Sequence, residues 1–173
     1  MKPTKIFDSK EILLVGLSFF GDPFSTNAGW TEENEIGRLW NRWCKFLGEN
    51  PGCIQHIKND RQSYEVHVEH EETASKGHRE VFVGIEVEKL ENVPVDLLVK
   101  ILPAATYAVF TLKGKEIFSD WPKIIGEWMS SSEYESASHF GFELYDERFK
   151  GLDKIDDSVL DVYIPIKKKS TNS

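Results

Sequence analysis

"HFGFELYDERF" runs from His139 to Phe149. Its first half alternates strictly, with Phe140, Phe142 and Leu144 on one face of an extended chain and Glu143 and Tyr145 on the other. The apolar set makes a core face. The opposite set puts a carboxylate beside a phenol, a pair that either lies in water or lines a pocket, and the rest of the chain has to decide which.

Two further stretches alternate in the same way. In "SYEVHVEH" (63–70), Tyr64, Val66 and Val68 oppose Glu65, His67 and Glu69. In "EVFVGIEVEKL" (80–90), Val81, Val83, Ile85 and Val87 form the apolar set. A polar turn joins them, which predicts a hairpin. Upstream, "EILLVGLSFF" (11–20) is short, apolar and closed by Gly21-Asp22-Pro23, as a buried strand should be. Thr31 is positioned to cap a helix with Glu32 and Glu33 in its first turn, and Ile36, Leu39, Trp40, Trp43, Phe46 and Leu47 recur at helical spacing until Gly48 and "NPG" (50–52).

The plan then recurs. "ATYAVFTLKG" (105–114) reads as a strand. Ile117, Trp121, Ile124, Ile125 and Trp128 mark a helix, and Pro122 is tolerated there if the helix starts near Asp120. Strands follow at "FGFELYDERF" and "SVLDVYIPIK" (158–167), and the last residues, 168–173, are expected to fray. The chain therefore reads strand-helix-strand-strand twice, about 8–92 and 103–167. One register lays Glu65 on Glu143, Trp43 on Trp121 and Leu47 on Ile125; with one residue less, Glu86 falls on Tyr163. Three elements in one order indicate a duplication.

The expected fold class is α+β: antiparallel sheets with two helices on one side and a ligand cleft at a pseudo-two-fold axis. One face of each half is expected to be free and to line that cleft. This brings Glu65, His67, Phe82 and Glu86 together with Glu143, Tyr145, Asp161 and Tyr163 as candidate lining residues.

Bulk properties exclude several functions. A chain of 173 residues, 40% hydrophobic and 29% charged, suits a single globular domain. A net charge of −8 argues against a nucleic-acid backbone binder and suits a neutral or cationic ligand. Cys44 and Cys53 read as reduced thiols. No two histidines share metal-ligand spacing on one element, so neither a metal nor a cofactor is expected. The apolar run at 12–20 lacks a signal peptide's flanks and is too short to span a membrane, which suggests a cytoplasmic protein. There is no phosphate loop and no nucleophile elbow.

"ATYAVFTLKG", the helix carrying Trp121 and Trp128, "FELYDERF" and "LDVYIPIK" together resemble the GyrI-like effector-binding superfamily, the ligand-binding domains of multidrug-sensing bacterial transcription activators and their free-standing relatives. The resemblance covers nearly the whole chain and implies the duplicated plan. It also implies that Glu143 sits at the cleft bottom and pairs with cationic, aromatic ligands, with Tyr163, Tyr107 and Tyr145 as stacking surface. Trp128, near the helix end, is placed at the rim. With the fold beginning by residue 11, a free-standing binding protein with no helix-turn-helix of its own is expected, and a separate DNA-binding or target protein stays open. Two other roles occur in the superfamily: hydrolysis of cyclopropane-containing toxins, with Glu143 as the catalytic group, and inhibition of DNA gyrase.

Overall fold

The computed structural model describes residues 1–170. Among these, nine strands join in one antiparallel sheet: β1 (Lys5–Ser9), β2 (Ile12–Gly21), β3 (Ser63–Glu69), β4 (Arg79–Val87), β5 (Leu98–Leu102), β6 (Ala105–Lys113), β7 (Tyr134–Ser136), β8 (Phe140–Tyr145) and β9 (Val159–Lys168). The helices are α1 (Glu35–Glu49), the single turn α2 (Thr73–Lys76) and α3 (Trp121–Ser131), giving an α+β fold. None of these helices is long and apolar enough to cross a membrane.

The strand order is β1-β6-β9-β8-β3-β4-β2-β5, with β7 added on β9. Read outward from its middle, β3, β4 and β2 mirror β8, β9 and β6. The pseudo-two-fold axis therefore passes between β3 and β8, where Glu65 is paired directly with Glu143. The two glutamates that overlay when the halves are aligned face each other across that axis.

Several local expectations need correction. Asn34, not Thr31, caps α1: its Oδ1 accepts from the Gly37 N–H at 3.0 Å, and Glu35 supplies the acid of the first turn. Thr31 instead closes a small turn by accepting from the Glu33 N–H. Asp120 caps α3 by accepting from the Lys123 N–H, which leaves Pro122 in the first turn where its missing donor does no harm. β1, β5 and β7 were not anticipated, since each is too short to show a period. Lys168 and Lys169, expected in a frayed tail, are held in place. Lys168 ends β9 paired with Tyr134, and the Lys169 ammonium donates to the Met129 and Ser132 carbonyls at the end of α3. Residues 171–173 lie outside the described residues.

Both faces of the sheet are used for packing, so the face opposite the helices is not free as expected. Leu39 and Trp43 of α1 pack on Val15, Leu17, Val81, Val83 and Ile85. Trp128 of α3 packs on Phe110, Leu112, Leu160 and Val162. On the reverse face, Leu14, Val66 and Phe82 of the first half share one cluster with Tyr107, Phe142 and Leu144 of the second. The sheet curls around that cluster, and each side chain so buried contributes roughly 1.5–3 kcal/mol. The helices cover only the outer strands of their own halves. Between them the middle pair β3–β8 is left bare, and it becomes the floor of a trough.

The curl requires close strand contact at one place. Gly16 of β2 is paired with Gly84 of β4. A Cβ on Gly16 would stand 2.0 Å from the Val83 carbonyl oxygen, and one on Gly84 would stand 2.4 Å from that of Val15. Both obstacles are backbone atoms, which a rotamer change cannot clear. Gly84→Ala is expected to destabilise the protein by about 2–4 kcal/mol, measured by urea unfolding. An equivalent change at exposed Gly48, where an added Cβ meets nothing within 4 Å, is expected to be neutral or slightly stabilising.

Candidate functional site

The trough is a cavity of about 1180 Å³, walled by α1 and α3 and floored by β3 and β8. Trp40 and Ile36 approach from α1, Trp121 and Ile125 from α3, and Glu65, His67, Glu143 and Tyr145 rise from the floor. Strand periodicity explains the floor. Residues 63, 65, 67 and 69 of β3 and residues 143 and 145 of β8 share the face that looks between the helices.

Two carboxylates opposite each other on neighbouring strands repel. Glu65 is 3% exposed and Glu143 is 9% exposed, so water screens them little. Glu65 is well supplied with donors: the Trp40 indole N–H donates to Oε2 at 2.5 Å, and His67 Nε2 lies 2.7 Å from Oε1. Glu143 has fewer: among the described residues only the Tyr145 hydroxyl donates to it, at Oε2 and 2.5 Å. Glu143 itself lines the cavity.

The protonation states follow from this arrangement. Burial, and then the Glu65 charge, push the Glu143 carboxyl up to about 8, with His67 and Tyr145 offsetting them only in part. Burial opposes the charged form of His67, but its bond to Glu65 and the charges of Glu65 and Glu143 outweigh it, so the imidazole is held above its ordinary value. Burial and the neighbouring carboxylates hold the Tyr145 phenol well above its ordinary range. Near neutrality the Glu143 carboxyl therefore holds its proton, beside the hydrogen-bonded pair of His67 and Glu65. A cation entering the cavity would drive the Glu143 proton off.

An aromatic wall stands over these groups. The Trp40 and Tyr145 rings meet edge-on with centroids 4.9 Å apart, and Tyr145 meets Phe149 in the same way at 4.9 Å. Trp30 and Phe118, with centroids 5.8 Å apart, line the mouth. Such surfaces suit planar rings and delocalised cations.

The structure brings Glu143, Tyr145, Glu65 and His67 together and separates the other candidates from them. Phe82 is fully buried on the reverse face, as is Tyr107. Tyr163 stacks on Phe142 on that same face, with centroids 4.5 Å apart. Glu86 accepts from the Tyr64 hydroxyl and from the Lys58 ammonium, each at 2.7 Å. Asp161 pairs with Arg148 at 2.6 Å. The reason is parity. Glu65 is paired with Val83 and Glu143 with Val162, so the cleft face carries 81 and 83 on β4 and 162 on β9, whereas 82, 86, 161 and 163 point away. Trp128 does not reach the rim: it packs between Phe110 and Tyr134 beneath α3.

Two features escaped sequence reasoning. Trp40 looks like one more residue of an amphipathic stripe, yet its indole N–H reaches across to Glu65. Glu65, His67 and Glu143 offer ligand atoms within 4.8 Å of one another, a grouping assembled across two strands that no sequence spacing reveals. Two of these groups already bond each other, His67 Nε2 to Glu65 Oε1 at 2.7 Å.

A curled, duplicated sheet with a buried carboxyl under an aromatic cleft at its symmetry axis fits the effector-binding class of domain. The chain belongs to the Cass2 family of integron-associated effector binding proteins, whose family model matches residues 5–166. It is 30% identical over 166 residues to the transcriptional regulator BrlR of Pseudomonas aeruginosa. That match covers 94% of this chain and 54% of BrlR, so the chain spans about half the length of this relative. Among solved structures, SAV2435 bound to tetraphenylphosphonium superposes with a TM-score of 0.69 at 16% identity, over 96% of this chain and 94% of that one. EcmrR in its DNA complex superposes at 0.68 and 14% identity, over 95% and 57%. At these identities the two structures show a shared fold.

A prediction follows from the strain at Glu143. An unfolded Glu143 ionises near 4.5 and the folded one near 8. Between these values the native state holds a proton that the unfolded state has lost, so stability falls as pH rises through that window and levels off above it. Glu143→Gln removes this dependence. The variant is expected to be more stable than wild type by on the order of 2–4 kcal/mol at pH 8.5, the gain shrinking toward zero at pH 4.5, as followed by thermal unfolding across pH.

Proposed function

We propose that the protein binds aromatic, cationic small molecules, with Glu143 as the charge partner and Trp40, Tyr145 and Phe149 as the ring surface. The observation that carries this reading is the Glu143 carboxyl: it is buried and lines a cavity large enough for a drug-sized ligand, beside Trp40, Tyr145 and Phe149. A bound cation would stabilise the ionised carboxylate against both burial and Glu65. The likeness to SAV2435, whose structure contains tetraphenylphosphonium, supports the same ligand chemistry.

Hydrolysis is the competing reading. A carboxyl raised toward neutral pH by burial and Glu65 is also suited to general acid–base work, so product formation is what separates hydrolysis from binding.

Titration of the protein with tetraphenylphosphonium, followed by tryptophan fluorescence, tests the reading. Because the cation binds the deprotonated form, each event releases a proton below pH 8. Affinity is expected to rise between pH 6 and 8, by at most about ten-fold per unit, and to flatten above. Glu143→Gln is expected to lose about ten-fold or more in affinity and to abolish the pH dependence. Affinity indifferent to both pH and Glu143 would overturn the proposal. So would a chemically altered product, detected by mass spectrometry when cyclopropane-containing alkylators are incubated with the protein and absent with Glu143→Gln.

A further inference from the structure

The cavity has a second charged end. Arg79, the first residue of β4, lines the same cavity as Glu65 and Glu143. It is paired with Glu69, four residues along β3 from Glu65, which at strand rise is about 13 Å of backbone. The Arg79 side chain turns inward rather than out. Its Nε is buried and has no hydrogen-bond partner among the described residues, and its charge opposes protonation of His67.

Other cations are matched differently. Lys100 is paired with Glu80 at 2.6 Å, which also takes the Ser18 hydroxyl, and Lys58 is paired with Glu86. An arginine cannot escape an unfavourable site by losing its proton, so a buried guanidinium donor without an acceptor is costly. The Nη groups of Arg79 are not sealed off in this way and make no hydrogen bond among the described residues; they are the donors a ligand's acceptor can reach, and guanidinium geometry matches carboxylate, sulfonate or phosphate.

We propose that Arg79 is a second ligand anchor, and that the effectors bound most tightly are aromatic cations carrying an anionic acceptor group. This deepens the reading of Glu143 as the cation partner and rests on it. An arginine side chain spans part of the backbone separation, so the cationic centre and the acid of such a ligand should lie roughly 6–10 Å apart. The two ends also divide labour in selection. A simple lipophilic cation gains Glu143 but meets the repulsion of Arg79, and a simple aromatic acid meets the reverse. A molecule bearing both charges satisfies each end.

The test uses a matched pair, butyltriphenylphosphonium and (4-carboxybutyl)triphenylphosphonium, with 5-phenylvalerate as the acid lacking a cation. Each is titrated at pH 8.5 into wild type, Arg79→Gln and Glu143→Gln. In wild type the carboxylated cation is expected to bind about ten-fold or more tighter than its alkyl counterpart. Arg79→Gln is expected to erase that preference by weakening the carboxylated ligand alone, leaving the alkyl cation bound within about two-fold or slightly tighter. Glu143→Gln is expected to weaken both phosphonium ligands. Equal affinity of the pair for wild type would overturn the Arg79 anchor while leaving the Glu143 reading intact, and this outcome needs no variant to fold. A preference that persists in Arg79→Gln would overturn it as well. If the alkyl cation fails to bind while 5-phenylvalerate binds through Arg79, the anchor stands and the cation reading falls. Failure of all three ligands overturns both.

Discussion

Two glutamates set opposite each other across the β3–β8 pair are the constraint from which the rest of the site follows. Antiparallel pairing at a pseudo-two-fold axis makes equivalent residues of the two halves into neighbours, so a glutamate kept at one position of a duplicated strand meets its counterpart. The protein does not resolve the clash symmetrically. Glu65 takes the Trp40 indole and His67, while Glu143 takes only the Tyr145 hydroxyl. One carboxylate is thereby settled and the other is left to carry a proton. A symmetric fold has produced an asymmetric site with one group waiting for a partner.

The surrounding architecture serves that pair. The sheet packs its central reverse face into a core shared by both halves, and its outer strands lie under α1 and α3. No helix is left to cover β3 and β8, so their remaining face opens to the cavity. Burial there is deep enough to shift Glu143 but not so complete that a ligand is shut out. Gly16 and Gly84 lie far from this chemistry in sequence, yet their close backbone contact forms part of the curl that defines the trough.

Much of this was legible in the sequence. The two helices, six of the strands and the correspondence of Glu65 with Glu143 could be read from periodicity and from the repeat, and the resemblance of 105–167 to effector-binding domains agreed with family membership. The misplaced strand residues share one cause. Alternation reports which residues share a side of one strand, but not which side of the sheet that is. Apolar residues fill both faces here, so the inward set of β3 (64, 66, 68) and the inward set of β4 (81, 83, 85) belong to different cores. Taking the two as one face placed Phe82, Glu86 and Tyr163 in the cleft. The pairing of Glu65 with Val83 puts them on its far side. Trp40 and Arg79 were missed for a different reason: a tryptophan on an amphipathic helix and an arginine at a strand start look ordinary until their partners, or the lack of them, are visible.

The account depends most on Glu143 being a protonated, buried carboxyl that ionises when a cation arrives. Carbon-13 NMR of protein labelled at the glutamate side-chain carboxyl, with the Glu143 resonance assigned by its loss in Glu143→Gln, measures this directly. The account predicts a free-state titration near pH 8, moving to a clearly lower pH when tetraphenylphosphonium is present at saturation. A Glu143 resonance that titrates between pH 4 and 5, unmoved by the cation, would contradict it.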